Sequence, residues 1–506
     1  MLDLNKNNTK FVVLGGGTAG WMASIFLKKN YPNVDLTVVE SSEIGILGAG
    51  EGTTPHVYRF FEEMDIPFSD LVKHASATIK TGIKFSNWNG NKKSYYHPFT
   101  LHPEHNYFSL KSVKSENFPK IVHEKVVTGE SLDDINLGAI AAERYKVTII
   151  KNTVEKNTKC GDYSLHFNAR MLADFLKSVA ISRGVKLIDS EVTTIETDDS
   201  GYINKLNLKN ETSLDVDFVF DCTGFKRVVI GKFYQSRWKS YQKYLPVNKA
   251  LPFFIEHSEN EKLPPYTEAI AMKYGWMWKI PVRGRYGCGY AFDSRFIDVD
   301  VARNEIANCF GNELRFGNTF NFEAGTFETP WVKNCIAIGL SSGFIEPLEA
   351  TSIWISVWGF LNKMTRHISG VTHRNESAIK IFNESAMIDT ESVLNFIYFH
   401  YITKRTDTDF WKNFVSNNEM PNEVRKLVEF DKDVVYVAEL LNKHGFPQES
   451  WFSVGLGLNF FNRRISEKNF GSNSRLISNE KATFQSKLNK TCDTLFDHNE
   501  YLNNII

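Results

Sequence analysis

Lys80, Lys84, Glu346 and Glu349 are among the side chains of this sequence whose types could move a proton. Lys80 falls in Ala77-Thr-Ile-Lys-Thr-Gly-Ile-Lys-Phe-Ser-Asn-Trp88, whose alternation predicts one strand with Lys80 and Lys84 on the same face. Two lysines so spaced ordinarily mark a solvated strand face. Glu346 and Glu349 stand three residues apart in Ser342-Gly-Phe-Ile-Glu-Pro-Leu-Glu-Ala-Thr-Ser352, and either could accept a proton. Trp276 and Trp278, in Gly275-Trp-Met-Trp-Lys-Ile-Pro281, put two indoles on one face of a strand that Pro281 ends. Taken alone, such a pair is a wall of core aromatics. His97, His102 and His105 lack metal-ligand spacing, and no metal site is expected.

Near the N-terminus, Phe11-Val-Val-Leu14 runs into Gly15-Gly-Gly-Thr-Ala-Gly20 and then a helical stretch. In this strand, G-x-G-x-x-G, helix order, Gly15 permits the tight turn and Gly17 lets a pyrophosphate approach the backbone. Gly20 lets helix and strand pack closely, with Thr18 and Ala19 at the helix N-terminus. A second strand, Asp35 to Val39, ends in Glu40, placed to accept hydrogen bonds from ribose hydroxyls. The pattern predicts dinucleotide binding. FAD is favoured over NAD by the strand Phe218-Val-Phe-Asp221 with its Cys-Thr-Gly224 turn, and by Cys335 to Gly339, both strand ends that return to the nucleotide cleft. The loop Gly48 to Pro55, with Gly50 and Glu51, can bring backbone amides to a flat ring.

The elements that must position these groups read as an α/β fold: a doubly wound sheet, an inserted mixed or antiparallel sheet, and a C-terminal helical part. The helix Met171 to Arg183 and the strand Val185 to Ile188 belong to the first. Residues 191–220 and Lys249 to Phe292 supply the inserted sheet, which carries the tryptophan pair. Helical periodicity dominates from Ser342: Ile353 to Met364, Glu384 to Tyr401, Glu423 to Lys443 and Lys481 to Leu495. Residues 466–480 read as a solvated connector. The composition shift near Gly339 divides the chain into residues 1–340 and 341–506.

The 506 residues carry 59 Lys+Arg against 59 Asp+Glu, so net charge favours neither nucleic acid nor an anionic membrane. Six cysteines without C-x-x-C spacing argue against a zinc or disulfide framework and suit a reducing cytoplasm. No apolar run reaches the roughly 18 residues of a membrane helix. The expected partner is a small molecule, and the expected state a homo-oligomer in the cytoplasm.

Taken together, Gly15–Trp21, the Lys80 segment ending at Trp88, W-x-W-x-I-P and Ser342–Ser352 resemble the flavin-dependent halogenases, the tryptophan halogenase group in particular. Phe220-Asp-Cys-Thr-Gly-Phe225, His400-Tyr and Phe410-Trp411 extend the resemblance over roughly residues 10–460. It implies a FAD-binding Rossmann-like fold and a two-component enzyme. A separate flavin reductase supplies FADH2, which with O2 and halide gives hypohalous acid. That acid passes to Lys80 beside an aromatic substrate, and Glu349 assists by polarising the halogen or removing the ring proton, with Glu346 structural. Thr351 and Ser352 match the halide site, where Ala-Thr-Ser replaces the usual Ser-Thr-Gly and implies a bromide or iodide preference. Trp276 and Trp278 partition flavin from substrate, and His97, Phe99 and Trp451 face an indole or other electron-rich arene. The competing functions are a single-component FAD aromatic monooxygenase and a non-catalytic flavin-binding protein.

Overall fold

The glycine turn and its flanking apolar runs form a βαβ unit: β1 (Lys10–Leu14), α1 (Thr18–Asn30) and β2 (Asp35–Glu40). A computed structural model describes residues 9–44, 51–99, 118–151, 158–311, 314–368, 375–417, 419–441, 445–470 and 474–505. Around this unit a six-stranded sheet runs in the order Lys186–Asp189, β2, β1, Phe218–Asp221, Cys335–Ala337, Trp331–Val332. Its pairs are parallel except the last, which is antiparallel. The central strands are buried along nearly their whole length, as a parallel sheet covered on both faces requires. The helix Ala169–Ser182 begins at Asn168, whose side chain accepts from the Arg170 and Met171 amides.

The second large sheet is mixed. Its order is Arg315–Phe316, Lys249–Glu256, Arg285–Phe292, Gly275–Val282, Thr267–Ala271, Gly82–Ser86, Ser94–Pro98, with Phe320–Asn321 also pairing to Lys249–Glu256. Only Thr267–Ala271 and Gly82–Ser86 pair in parallel within it. One apolar core fills the space between the first sheet and its helices, and another joins this second sheet to the C-terminal helices.

Several expectations change. The 77–88 stretch is two strands in two sheets: Thr78–Lys80 pairs with Ser164–Phe167, while Gly82–Ser86 enters the large sheet. The switch occurs at Thr81, whose amide bonds the Pro265 carbonyl, and at Gly82, where a Cβ would sit 2.5 Å from the His97 carbonyl oxygen. Lys80 and Lys84 therefore do not share a solvated face. Lys80 is fully buried, whereas Lys84 is partly exposed and pairs with Glu143 at 3.8 Å. Residues 192–215 form their own three-stranded antiparallel sheet and do not join the one bearing the tryptophans, because Phe218–Asp221 returns the chain to the first sheet between them.

The predicted helix 423–443 is two, Asn422–Glu429 and Val434–Leu441, broken where Asp431 and Lys432 are left-handed. The expected connector 466–480 is largely helical, in Arg463–Phe470 and Ser474–Asp493. The extreme C-terminus returns to the N-terminal half: Leu495–Asp497 pairs with Lys146–Ile150, and His498 Nε2 accepts from the Ile79 amide at 3.0 Å.

Candidate active site

The glycine turn has the tight geometry its spacing requires. Gly15 has φ 113°, and a Cβ there would lie 2.3 Å from the Cys222 carbonyl oxygen; one at Gly20 would lie 1.9 Å from the Gly15 carbonyl oxygen. Gly17 has open space where its side chain would be, at the N-terminus of α1 that Thr18 and Ala19 begin. These are the features a pyrophosphate needs, and the residues present fit a dinucleotide. Gly339, at φ 69°, brings the end of the Cys335–Ala337 strand against α1, its Cβ position 2.7 Å from that of Ala19. Glu40 ends β2 as expected, bonded to Lys177. Glu51 is half-buried on a short strand against Phe167, and burial pushes its carboxyl up to about 7. Gly50 lies outside the described residues, as do His102 and His105.

Asp221 ends its strand with the carboxylate turned onto its own following turn. Its Oδ1 accepts from the Thr223 amide and hydroxyl at 3.1 and 2.6 Å, and its Oδ2 from the Val229 and Ile230 amides at 2.8 and 2.9 Å. The carboxylate is spent on holding the 222–230 turn, so it shapes the cleft rather than reaching into it.

Lys80 ends its strand inside the protein. Among the described residues its Nζ has no hydrogen-bond partner, and it stands 5.3 Å from the centroid of the Phe99 ring. Burial pushes the ammonium down to about 8, with Glu349 pulling the other way. The two groups form no ion pair within 4 Å. The Glu349 carboxylate is instead gripped by two histidines: His97 Nδ1 lies 2.8 and 2.9 Å from its two oxygens, and His400 Nε2 lies 2.9 Å from Oε1. Burial would raise this carboxyl, but the two imidazoles outweigh it and hold the group below the ordinary carboxylate range. Glu349 itself is left-handed at φ 67°, followed by Ala350 at φ 54°. Two successive non-glycine residues in that region store strain at this turn, of order 1 kcal/mol each or more.

The predicted halide residues follow directly. Thr351 is buried, and the chain becomes helical at Ser352, whose carbonyl accepts from Ser356 Oγ at 2.6 Å. The left-handed backbone falls on Glu349 and Ala350 rather than on Ser352, so serine replaces glycine there without a positive φ. Residues 354–359 then form a wide π turn before the α-helix Phe360–Ile368.

Glu346 occupies a different environment. The Tyr401 hydroxyl donates to it at 3.0 and 3.2 Å, and burial pushes its carboxyl up to about 8. The Trp276 indole lies close enough to act on both groups.

Trp276 and Trp278 lie on the Gly275–Val282 strand, with ring centroids 5.8 Å apart. Their cross-strand partners are all small: Ala271 and Ala291 beside Trp276, Ala269 and Gly289 beside Trp278. A Cβ at Gly289 would stand 2.0 Å from the Trp278 ring, so this absence of side chain makes the wall possible. The indoles are thus embedded in the core, with Trp276 adjoining the Glu346–Tyr401 group.

The predicted substrate side chains are grouped unequally. Phe99 adjoins Lys80 directly, and His97 touches Glu349 more closely than expected of a residue that only meets substrate. Trp451, on the Gln448–Gly457 helix, joins them through Phe396, whose ring is 5.4 Å from His97 and 4.9 Å from Trp451.

Sequence reasoning missed His166. Ile79 and Lys80 lean on a polar chain whose proton positions are fixed. Thr78 Oγ1 donates to the Pro281 carbonyl at 2.6 Å and therefore accepts from His166 Nδ1 at 3.1 Å. His166 Nε2 then accepts from Thr267 Oγ1 at 3.0 Å. His166 is a neutral imidazole, kept so by burial and by the positive charge of Lys80. Its only sequence signal was a histidine between two apolar residues, Leu165 and Phe167, in the strand Ser164–Phe167.

Comparisons with known proteins identify the family. Residues 10–469 match the tryptophan halogenase family. The chain is 31% identical to the tryptophan 7-halogenase RebH of Lentzea aerocolonigenes over 80% of its length and 78% of that protein. Among solved structures it resembles the tryptophan 6-halogenase SttH of Streptomyces toxytricini, with TM-score 0.87 and 28% identity over 98% of this chain and 100% of that one. It also resembles BrvH, a flavin-dependent halogenase from Brevundimonas sp. BAL3, with TM-score 0.84 and 26% identity over 99% and 100% of the two chains. No metal-binding cluster occurs among the described residues, and none of their helices is long and apolar enough to cross a membrane. With a Rossmann-like flavoprotein fold and a family match over residues 10–469, the chain belongs to the tryptophan halogenase family of flavin-dependent enzymes.

Proposed function

We propose that the protein is an FADH2-dependent halogenase that delivers hypohalous acid to Lys80 for electrophilic substitution of an indole or similar electron-rich arene. The observation that carries this reading is the buried Lys80 ammonium, which points at the Phe99 ring with no hydrogen-bond partner among the described residues. Bound reduced FAD would supply the electrons with which oxygen converts halide to hypohalous acid. Gly15, Gly17 and Gly20 would hold its pyrophosphate, with Glu40 toward the ribose. Lys80 has N–H bonds to spare for the oxygen of the neutral oxidant, which raises the electrophilicity of the halogen. Glu349 is near enough to act electrostatically on Lys80 without an ion pair between them, and its carboxylate accepts the proton the ring releases. Trp276 and Trp278 keep water and arene from the flavin side.

Thr351 and Ser352 are the proposed halide residues, with bromide or iodide used in preference to chloride because larger anions are easier to desolvate and oxidise. The relatives named above act on tryptophan or are described as halogenases, so tryptophan is the first arene to try, within a panel of indoles and phenols. The test is mass spectrometry of products after incubation with a flavin reductase, NADH, FAD and each halide, singly and mixed. Halogenated product that disappears in Lys80→Ala while FAD binding persists is the expected outcome. Oxygenated product formed without halide would overturn the proposal in favour of a monooxygenase, and mainly chlorinated product from mixed halides would overturn the preference.

A further inference from the structure

The protein backbone dictates the proton content of one histidine in this site. His400 ends the Glu376–His400 helix and is fully buried. Its Nδ1 lies 2.7 Å from the Phe396 carbonyl, an acceptor with no proton to give, so Nδ1 must carry hydrogen. Its Nε2 lies 2.9 Å from Glu349 Oε1, and that contact also needs a proton. The proton sits either on Nε2, making an imidazolium beside a carboxylate, or on Glu349, making a neutral pair. In both cases the two residues together hold one proton more than a neutral imidazole and a carboxylate would.

His97 separates the two cases. Its Nδ1 is almost equidistant from the two Glu349 oxygens, at 2.8 and 2.9 Å, the position of an N–H shared by an ionised carboxylate. The positive charge of Lys80 acts in the same direction. Three neighbours that favour the anion converge on a carboxyl that burial alone would leave protonated.

We propose that His400 is a positioning residue, fixed as an imidazolium by the Phe396 carbonyl, which keeps Glu349 ionised and aimed as the acceptor of the arene proton. The inference rests on the reading of Glu349 as that acceptor. In the step it serves, the C–H bond at the halogenated carbon breaks and its electron pair restores the aromatic ring. The proton passes to Glu349 Oε2, the oxygen His400 leaves open. Besides Glu349, the titratable groups facing this pair are Lys80, Tyr95 and His97, with Glu346 beyond Tyr401.

Two measurements test this. NMR of isotope-labelled imidazole nitrogens, recorded under the conditions of the halogenation assay, should show one histidine protonated on both nitrogens, and that signal should vanish in His400→Gln. Spectra in which every histidine of the wild type is singly protonated under those conditions would overturn the proposal, whether or not the variant folds. The second is the pH profile of single-turnover halogenation from chemically reduced FAD. Glutamine retains a neutral N–H near the place of Nε2 but no charge. The acid limb of His400→Gln should move up by at least about one pH unit, an approximately tenfold loss of rate on that limb, with the rate at high pH retained. A loss uniform across pH would mean a merely structural histidine and would overturn the proposal. Glu349→Gln separates the underlying reading: if it halogenates at the full rate, Glu349 is not the acceptor, whatever the nitrogen spectra show.

Discussion

Replacing Lys80 by methionine should make the protein more stable while ending its chemistry. Lys80 is fully buried, and its ammonium is pushed from the ordinary 10.5 to about 8, chiefly by burial. Because the folded value is the lower one, the unfolded chain holds the extra proton between those two limits, and the stability contributed by this group rises with pH through the window. Below about pH 8 the folded protein carries the whole penalty, roughly 3 kcal/mol for a shift of this size. Methionine has similar reach and no charge, and its thioether suits the neighbouring Phe99 ring. Glu349 loses an attractive charge in the exchange, so the net gain near pH 7 should be about 1–3 kcal/mol. Urea unfolding of both proteins at about pH 7, 9 and 10.5 gives the comparison, with the advantage of Lys80→Met shrinking as pH rises. A variant less stable than wild type near pH 7, or an advantage independent of pH, would refute the reasoning, since it would mean that the ammonium is satisfied in the folded protein.

Gly15→Ala should abolish flavin binding and lower stability by about 2 kcal/mol or more, because its Cβ meets the Cys222 carbonyl and its φ is positive; fluorescence titration with FAD and thermal unfolding report the two effects separately. Trp276 and Trp278 call for a conservative exchange. Truncating either to alanine should cost about 3–5 kcal/mol through cavity formation, whereas the Phe–Phe double variant should remain folded by circular dichroism and show faster loss of reduced flavin without halogenated product.

The parts of this fold that were readable depend on contacts close in sequence. The Gly15–Gly20 turn, β1, β2 and the Phe218–Asp221 strand were each visible in a short window, because spacing alone fixes their backbone. Lys80 was legible as a reactive residue only through resemblance, since alternation cannot reveal that the chain changes sheets at Thr81 and buries that lysine. Glu349 was placed beside Glu346 by motif, yet the left-handed backbone that turns the two carboxyls into different environments leaves no mark in residue type. His166 and His400 were opaque for another reason: their partners Thr267 and Glu349 are 101 and 51 residues away. The wall was half visible, because Ala269, Ala271, Gly289 and Ala291 alternate as small residues in their strands, a pattern that foretells a large neighbour across the sheet.

The Thr267–His166–Thr78 chain beneath Lys80 ends on the carbonyl of Pro281, the last residue of the tryptophan motif. An amide oxygen can neither pass a proton onward nor return one, so the chain is a closed circuit end, an insulator rather than a wire. If Lys80 holds the oxidant as proposed, a proton gained or lost there would find no path through this chain beneath the strand. Proton traffic would then be left to Glu349, held between its two imidazoles, with the threonines and His166 acting by offering no second exit.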